Sequence, residues 1–121
     1  MICHGVPPFL ECSSAGEKRL SAFYAQVGAC GGRTIETIYQ ASKIFEDGVT
    51  GLNWRDAKGR RAINMDSCIE LYSWLWNTYI NENKDLLTLI KSASGLSDKF
   101  GQPGHCCQAT ELWRIRNALG G

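Results

Sequence analysis

The sequence predicts a mainly α fold, with one or two short strands near the N-terminus, in one compact helical domain over residues 1–121. Apolar residues recur at helical spacing in several stretches, and Gly- or Pro-containing turns separate these stretches. A chain of 121 residues has the size of one ordinary domain, and its 44% hydrophobic residues are enough to fill a single core. We therefore expect residues 1–20 to pack on a core formed by residues 21–120.

The first third of the chain contains the weakest secondary-structure pattern. Residues 1–20 are predicted to be mostly irregular, because Pro7 and Pro8 interrupt regular structure and Ser-Ser-Ala-Gly at 13–16 is typical of a turn. Within this stretch, Phe9 and Leu10 can form a short strand or fill the core. Residues 21–27 are compatible with a short strand. Thr34 is a good N-cap for the first convincing helix, which we expect to end before Asp47.

The rest of the chain is dominated by helical patterns. Residues 54–62 predict a short helix that Gly59 weakens, and residues 65–80 carry the strongest apolar stripe of the sequence. Asn83 can cap a further helix that continues to Ile90. Residues 92–105 read as a loop rich in Gly and Ser. The final helix is expected over residues 107–119, with a C-cap at Gly120–Gly121.

Charge and hydropathy exclude several classes of protein. The 13 basic and 12 acidic residues balance to +1, which argues against a general electrostatic interaction with DNA or a membrane surface. No apolar run approaches the ~20 residues that span a bilayer. The N-terminus lacks the basic start and apolar stretch of a signal peptide. We therefore expect a cytoplasmic protein with no membrane partner.

Six cysteines are compatible with disulfides, a metal site or free thiols. A chain without a secretion signal favours free thiols, several of them buried as small hydrophobic side chains. Only Cys106 and Cys107 lie close together, and adjacent cysteines do not have the usual spacing of zinc ligands, although His105 lies beside them. We predict no metal site, and no motif in the sequence indicates a cofactor.

The strongest candidate for chemistry is Glu36, in the first turn of the helix that begins at Thr34. A carboxylate is stabilised there by the helix dipole, so Glu36 can serve helix stability alone. An ionised carboxylate can also act as a nucleophile, a general base or a stabiliser of positive charge. Gln40 and Lys43 follow at helical spacing on the same face, where they can line a polar pocket or form a solvated surface.

Two further features can bind a ligand. Four cations lie within seven residues next to Trp54, and arginines and lysines in such a cluster can hold phosphate groups while the aromatic ring stacks a base. The cluster consists of Arg55, Lys58, Arg60 and Arg61, and it can equally form a solvated face. His105, at the end of a Gly-Pro loop, is either an acid/base group or an incidental loop residue.

Four stretches of the sequence follow a recognisable pattern: S-A-F-Y at 21–24, T-I-E-T-I-Y-Q-A-S-K at 34–43, D-A-K-G-R at 56–60 and N-A-L-G at 117–120. They resemble the elements S-N-F-Y, S-x-E-H-Y-Y-Q-A-x-K, E-A-K-x-x-G-R and N-x-L-G of the NADAR/YbiA-like family. The resemblance spans about residues 21–120, and the E-x-x-Y-Q-A-x-K element is its specific part. The chain departs from the pattern at Ala22, at Thr37 and in the stretch 113–117.

The resemblance implies a mainly α fold and cleavage of N-glycosidic bonds. The family's substrates are phosphorylated riboflavin-pathway intermediates and ADP-ribose attached to guanine in nucleic acid. Glu36 would then be the catalytic carboxylate, which stabilises an oxocarbenium-like transition state and orients the attacking water. The substrate-binding residues implied by the resemblance are Ser21, Phe23, Tyr24, Gln40, Lys43, Lys58, Arg60, Trp113 and Asn117.

Three hypotheses follow from the sequence. The first is an N-glycosidase that acts on an ADP-ribosyl or phosphoribosyl-type substrate, which can be ADP-ribosylated nucleic acid. The second is a non-catalytic protein that binds a nucleotide or an ADP-ribose-like ligand in the same pocket. The third is a small interaction protein with Trp74, Trp76 or Trp113 at a partner interface and no cavity beside Glu36.

Overall fold

The computed structural model describes the backbone of residues 1–120 and the side chains of residues 1–118. Helices, including the 3₁₀ helices Lys18–Leu20 and Gly28–Cys30, account for 47% of the chain, and strands with bridge residues account for 14%. The fold is therefore largely helical but contains more strand than the sequence predicts. The α-helices are α1 (Ile35–Ala41), α2 (Trp54–Ala57), α3 (Met65–Glu82), α4 (Lys84–Ser92) and α5 (Gln108–Gly120). Within residues 1–120, none of these helices is both long enough and apolar enough to cross a bilayer.

Five short strands form two sheets. The strands are β1 (Ile2–Gly5), β2 (Phe9–Glu11), β3 (Gln26–Val27), β4 (Arg33–Thr34) and β5 (Gly95–Asp98). Strand β5 lies at the centre of a three-stranded sheet, antiparallel to β1 and parallel to β2, while β3 and β4 form a separate antiparallel pair.

The three-stranded sheet contradicts two of the sequence predictions. Residues 1–20 are not mostly irregular, because they contribute β1 as well as β2, and the segment 92–105 is not only a loop, because it contains β5. The alternative of a short strand at Phe9 and Leu10 is confirmed by β2. Strand β5 pairs with β1 at the N-terminal end of the chain, so that Asp98 lies opposite Ile2. Gly95 permits the close approach, since a Cβ atom there would lie 2.6 Å from the Val6 carbonyl oxygen.

The predicted strand at 21–27 is also wrong over most of its length. Only Gln26–Val27 is a strand, and the preceding residues fold into a tight turn. In that turn the N–H groups of Tyr24 and Ala25 both donate to the Ser21 carbonyl, at 3.0 and 2.8 Å. The turn brings residues 21–23 next to the start of α1, where Glu36 lies.

Helix α1 begins where the sequence predicts and ends earlier than expected. The Thr34 hydroxyl oxygen accepts a hydrogen bond from the Thr37 N–H at 3.2 Å, which confirms the predicted N-cap. The helix ends at Ala41 because backbone groups of Ser42 and Ile44 form hydrogen bonds with the Asn64 side chain instead of continuing the helix. The Asn64 amide nitrogen donates to the Ser42 carbonyl at 2.9 Å, and its side-chain oxygen accepts from the Ile44 N–H at 2.8 Å.

The later helices follow the sequence pattern more closely. Helix α2 ends at Ala57 instead of residue 62, because Gly59 adopts a left-handed conformation with φ of 79°. The predictions for α3, for a break near Asn83 and for α4 are confirmed. Helix α5 begins at Gln108, one residue after the predicted start. The predicted C-cap involves Gly121, which lies outside the described residues.

The main hydrophobic core surrounds α3. This helix packs against α1, α4, α5 and β3, and its residues Leu75 and Trp76 are completely buried. The apolar stripe predicted for α3 is buried except for Met65, which is partly buried, and Ile69, which is 46% exposed. A second, smaller cluster of Phe45, Ala57 and Ala62 lies under the segment between α1 and α3. The two clusters support opposite sides of a cleft beside α1.

Candidate functional site

A cleft of about 680 Å³ runs along α1 and is closed on its other sides by the segments 58–61 and 98–106. This volume lies within the range of ligand pockets. Seven of the ten site residues that the resemblance implies line this one cleft, although they come from separate parts of the chain. They are Ser21, Phe23, Glu36, Gln40, Lys43, Lys58 and Arg60.

Glu36 is the centre of the cleft's polar lining. The residue is only 8% exposed, and its Oε1 atom accepts a hydrogen bond of 2.9 Å from the Gln40 side-chain nitrogen. Oε2 has no hydrogen-bond partner among residues 1–118 whose side chains are described. The carboxylate is therefore oriented by one oxygen and has the other available for a ligand or a water molecule.

A chain of hydrogen bonds connects Glu36 to the opposite side of the cleft. Asp98, which is buried at the cleft lining, accepts from the Gln108 side-chain nitrogen at 3.1 Å. The Gln108 side-chain oxygen accepts from the Ala22 N–H at 2.8 Å, and the Ala22 carbonyl accepts from the Glu36 N–H at 3.0 Å. The start of α1, the 21–25 turn and the 98–106 segment are held in one arrangement by these bonds.

Lys43 connects α1 to the basic segment 58–61. Its side chain is only 4% exposed, and its ammonium group donates to the carbonyl oxygens of Ala57 and Arg60 at 3.2 and 2.9 Å. Burial lowers the pKa of Lys43 below its ordinary value, although the nearby Glu36 carboxylate opposes this effect. Two of the three ammonium protons are thus used to hold the segment, which leaves one for the substrate contact predicted from the sequence.

Cations and aromatic rings line the outer part of the cleft. Lys58, Arg60 and Arg61 reach it from one side and Lys99 from another. Lys58 Nζ lies 4.8 Å from the centre of the Phe23 ring, which meets Trp54 edge to face at 5.2 Å. Such an arrangement can hold phosphate groups beside an aromatic surface. The fourth cation of the predicted cluster, Arg55, lies over the Trp54 ring and does not line the cleft.

Two neutral groups occur beside Glu36. Burial raises the pKa of the Cys106 thiol and raises the pKa of the Tyr39 hydroxyl well above its ordinary value. Both groups are therefore protonated at neutral pH. Cys106 consequently lacks the thiolate that nucleophilic catalysis by cysteine requires.

Three residues that the resemblance assigned to substrate binding lie away from the cleft. Tyr24 is half exposed on the far side of the 21–25 turn, with Lys18 Nζ 5.3 Å from its ring centre. Trp113 packs on β1, where it stacks on His4 with 6.3 Å between ring centres and carries the Arg116 guanidinium on its other side. Asn117 is exposed and accepts a hydrogen bond from Arg116.

The position of Trp113 follows from the sheet, which the sequence does not predict. Helix α5 packs against β1 and β5, so the face that carries Trp113 is directed to the sheet and not to α1. A Cβ atom on Gly5 would lie 2.5 Å from the Trp113 ring, which shows how closely this ring covers the strand. Trp113 therefore lies outside the cleft that contains Glu36, and its expected role in stacking the substrate stays a prediction.

Sequence reasoning missed Asp98, Lys99 and Cys106 as cleft residues. Asp98 and Lys99 belong to the segment 92–105 that the sequence predicts to be a loop, and Cys106 follows it directly. His105, the candidate that the sequence offers in this segment, lines the cleft from an exposed position. The position of the segment depends on the pairing of β5 with two distant strands. An aspartate at the end of a buried strand would have been the one available clue, but the strand had no pattern of its own.

Other features bear on the remaining hypotheses. Trp76 is fully buried in the core, whereas Trp74 is 50% exposed on α3. A second and more open groove of about 1110 Å³ is lined by residues 45–47 and 60–67. In the part of the chain that the structure describes, no group of three or more His, Cys, Asp or Glu side chains is placed to hold a metal ion.

Comparison with known proteins adds no relative to this picture. No protein-family model matches the sequence, and no curated protein matches it.

Proposed function

We propose that this protein is an N-glycosidase-type hydrolase that cleaves the N-glycosidic bond of an ADP-ribosyl or phosphoribosyl-type substrate, for example ADP-ribose linked to a nucleobase. One observation carries the proposal: the buried carboxylate of Glu36 shares a cleft with the cations Lys58, Arg60 and Arg61. A sugar phosphate joined to a base needs these two kinds of group, a negative charge near the anomeric carbon and positive charges near the phosphate. The resemblance of residues 34–43 to the NADAR/YbiA-like pattern supports the same reading.

The chemistry assigned to Glu36 follows from how a C–N glycosidic bond breaks. The electron pair of the bond leaves with the base, and the sugar acquires oxocarbenium character at the anomeric carbon. A carboxylate stabilises this positive charge, accepts a proton from the attacking water and orients its oxygen toward the carbon. The water oxygen bonds to the anomeric carbon. The departing base takes up a proton from solvent while Glu36 returns to solvent the proton that it accepted, so that the products are the free sugar and the free base and the carboxylate is restored.

The basic residues suit the phosphate end of the substrate. Lys58 and Arg60 are the cations predicted from the sequence, and Arg61 and Lys99 join them at the cleft. Arginine can bind phosphate oxygens through two parallel hydrogen bonds, and lysine acts as a point charge. Lys43 supports this function indirectly, because it holds the backbone of the segment that carries Lys58 and Arg60.

The test is release of ADP-ribose from ADP-ribosylated guanine in nucleic acid, measured by mass spectrometry. We expect the wild type to release ADP-ribose and Glu36→Gln to lower kcat/KM by roughly 100-fold or more, because the variant lacks the charge that stabilises the transition state. The matched control is Glu70→Gln, a change to an exposed glutamate on α3 outside the cleft. Absence of release from the wild type, or equal release from Glu36→Gln, would contradict the proposal.

A non-catalytic binding protein is the second candidate function. Ala22 and Thr37, which stand where the family pattern has asparagine and histidine, supply no side-chain group of those types beside Glu36. A pure binder would be stabilised against heat by ADP-ribose, since the ligand binds the native state alone, and ADP-ribosylated nucleic acid would remain intact beside it. Intact substrate together with a raised Tm would favour this function over hydrolysis.

A further inference from the structure

The side-chain oxygen of Gln40 is a buried hydrogen-bond acceptor without a donor. Gln40 is 4% exposed and lines the cleft next to Glu36. Its Oε1 atom is buried and accepts no hydrogen bond from the described part of the protein, residues 1–120. Most buried polar atoms in folded proteins do have partners, so an unpaired one at a cleft calls for an explanation.

The orientation of the Gln40 amide follows from its neighbour. The amide nitrogen donates to Glu36 Oε1 at 2.9 Å. Exchanging nitrogen and oxygen would place two acceptors against each other, because an ionised carboxylate can only accept. The carbonyl oxygen must therefore be the atom that lacks a partner, and what it lacks is a donor.

We propose that the Gln40 carbonyl oxygen binds the 2-hydroxyl group of the substrate's ribose, so that the site selects ribosyl over 2-deoxyribosyl ligands. This inference rests on the proposed function, which places the anomeric carbon at Glu36. Gln40 contacts that carboxylate directly, so its carbonyl lies beside the carbon next to the anomeric centre. A hydroxyl group on that carbon is a donor, as the unpaired oxygen requires.

In the free protein, no group among the described side chains of the cleft donates a hydrogen bond to the Gln40 oxygen. The Lys43 ammonium, which also lines the cleft, donates to the carbonyls of Ala57 and Arg60. A 2-deoxyribosyl ligand would leave the Gln40 oxygen unpaired, as it is in the free protein. A ribosyl ligand would supply the missing donor, and pairing this buried acceptor should strengthen binding by about 10- to 100-fold in Kd.

The test compares ADP-ribose with its analogue that lacks the 2-hydroxyl of the terminal ribose, by isothermal titration calorimetry. We expect the wild type to bind ADP-ribose about 10- to 100-fold more tightly than the analogue. Gln40→Met keeps the length of the side chain and removes the acceptor, so the two ligands should bind it with nearly equal affinity. Gln26→Met, at an exposed residue of β3, is the matched control and should keep the wild-type preference.

The outcomes separate this inference from the proposed function. Equal binding of the two ligands to the wild type overturns the inference even if Gln40→Met does not fold, and release of ADP-ribose would still support the hydrolase. If Gln40→Met still binds ADP-ribose more tightly than the 2-deoxy analogue, the inference is overturned. A lower kcat of the same variant would then indicate that Gln40 holds a water molecule instead of the ribose hydroxyl. If the wild type binds neither ligand and releases no ADP-ribose, both the inference and the proposed function are overturned.

Discussion

Glu11 offers a direct test of how the rim of the cleft is held. Its carboxylate accepts hydrogen bonds from the Lys99 N–H and the Ser97 hydroxyl, both at 2.9 Å, and from the Ser13 N–H at 3.1 Å. Ser13 and Lys99 both line the cleft. Replacing Glu11 with leucine removes all three bonds while keeping a side chain of similar size.

The magnitude follows from the number of bonds and the exposure of the site. Hydrogen bonds to a charged group contribute about 1.5–3 kcal/mol each where water is excluded. Glu11 is partly exposed, so water can replace part of what is lost. We therefore expect Glu11→Leu to lower the free energy of unfolding by about 2–3 kcal/mol, and Glu11→Gln, which keeps one acceptor oxygen, to lower it by about 1 kcal/mol.

The pH dependence supplies a second readout. Burial alone would raise the pKa of Glu11, but the hydrogen bonds from Lys99, Ser13 and Ser97 outweigh burial and hold it below its ordinary value of 4.5. The stability that the carboxylate contributes is therefore complete well above pH 4.5. It is lost as the pH falls further, through the pKa of the folded state. In Glu11→Gln this part of the pH dependence should be missing.

The assay is urea denaturation at pH 7 and at several lower pH values, with Glu70→Gln as the exposed control. The difference in stability between the wild type and Glu11→Gln should shrink as the pH is lowered. An ordinary surface substitution changes the free energy of unfolding by no more than about 0.5 kcal/mol. If the free energy of unfolding of Glu11→Leu at pH 7 differs from that of the wild type by no more than this, the three hydrogen bonds do not hold the rim.

Two further predictions test other restraints on the site. Gln108→Leu breaks the connection between Asp98 and Ala22, leaves the Ala22 N–H buried without an acceptor and removes one of the donors to Asp98. We expect urea denaturation to show a loss of about 1–3 kcal/mol; a loss below about 0.5 kcal/mol would contradict the proposed restraint. Glu82→Ala releases the two N–H groups of residues 28–29, which donate to its carboxylate at 2.9 Å. Hydrogen exchange at these two amides should become faster, and unchanged rates would show that the carboxylate does not protect them.

The helices were predictable where local chemistry and burial agree. Thr34 caps α1 because its hydroxyl bonds within the same turn, and the apolar stripe of α3 is buried because its spacing matches the helix. The end of α1 was not predictable, because it depends on the side chain of Asn64, which lies 22 residues after Ser42 in the chain. Strands β1 and β5 were missed for a similar reason: each is too short to show alternation, and they pair with each other from opposite ends of the chain.

The composition of the cleft was only partly readable from the sequence. Glu36 and Gln40 share one side of α1, so helical spacing alone places them together, and Lys43 follows two residues after the helix ends. Asp98 and Lys99 reach the same cleft only because β5 pairs with β1 and β2. Trp113 was expected at the site and lies on the sheet instead, because α5 packs against β1.

The sequence by itself therefore determined the helical character of the chain and the row of polar side chains along α1, since both follow from contacts between residues less than two turns apart. The tertiary structure decided what faces that row: the basic segment 58–61, held by Lys43, and the segment 98–106, held by Asp98 and Gln108. It also decided that the Gln40 carbonyl is buried without a donor. Such features depend on which distant segments meet, and no local pattern of residues encodes that.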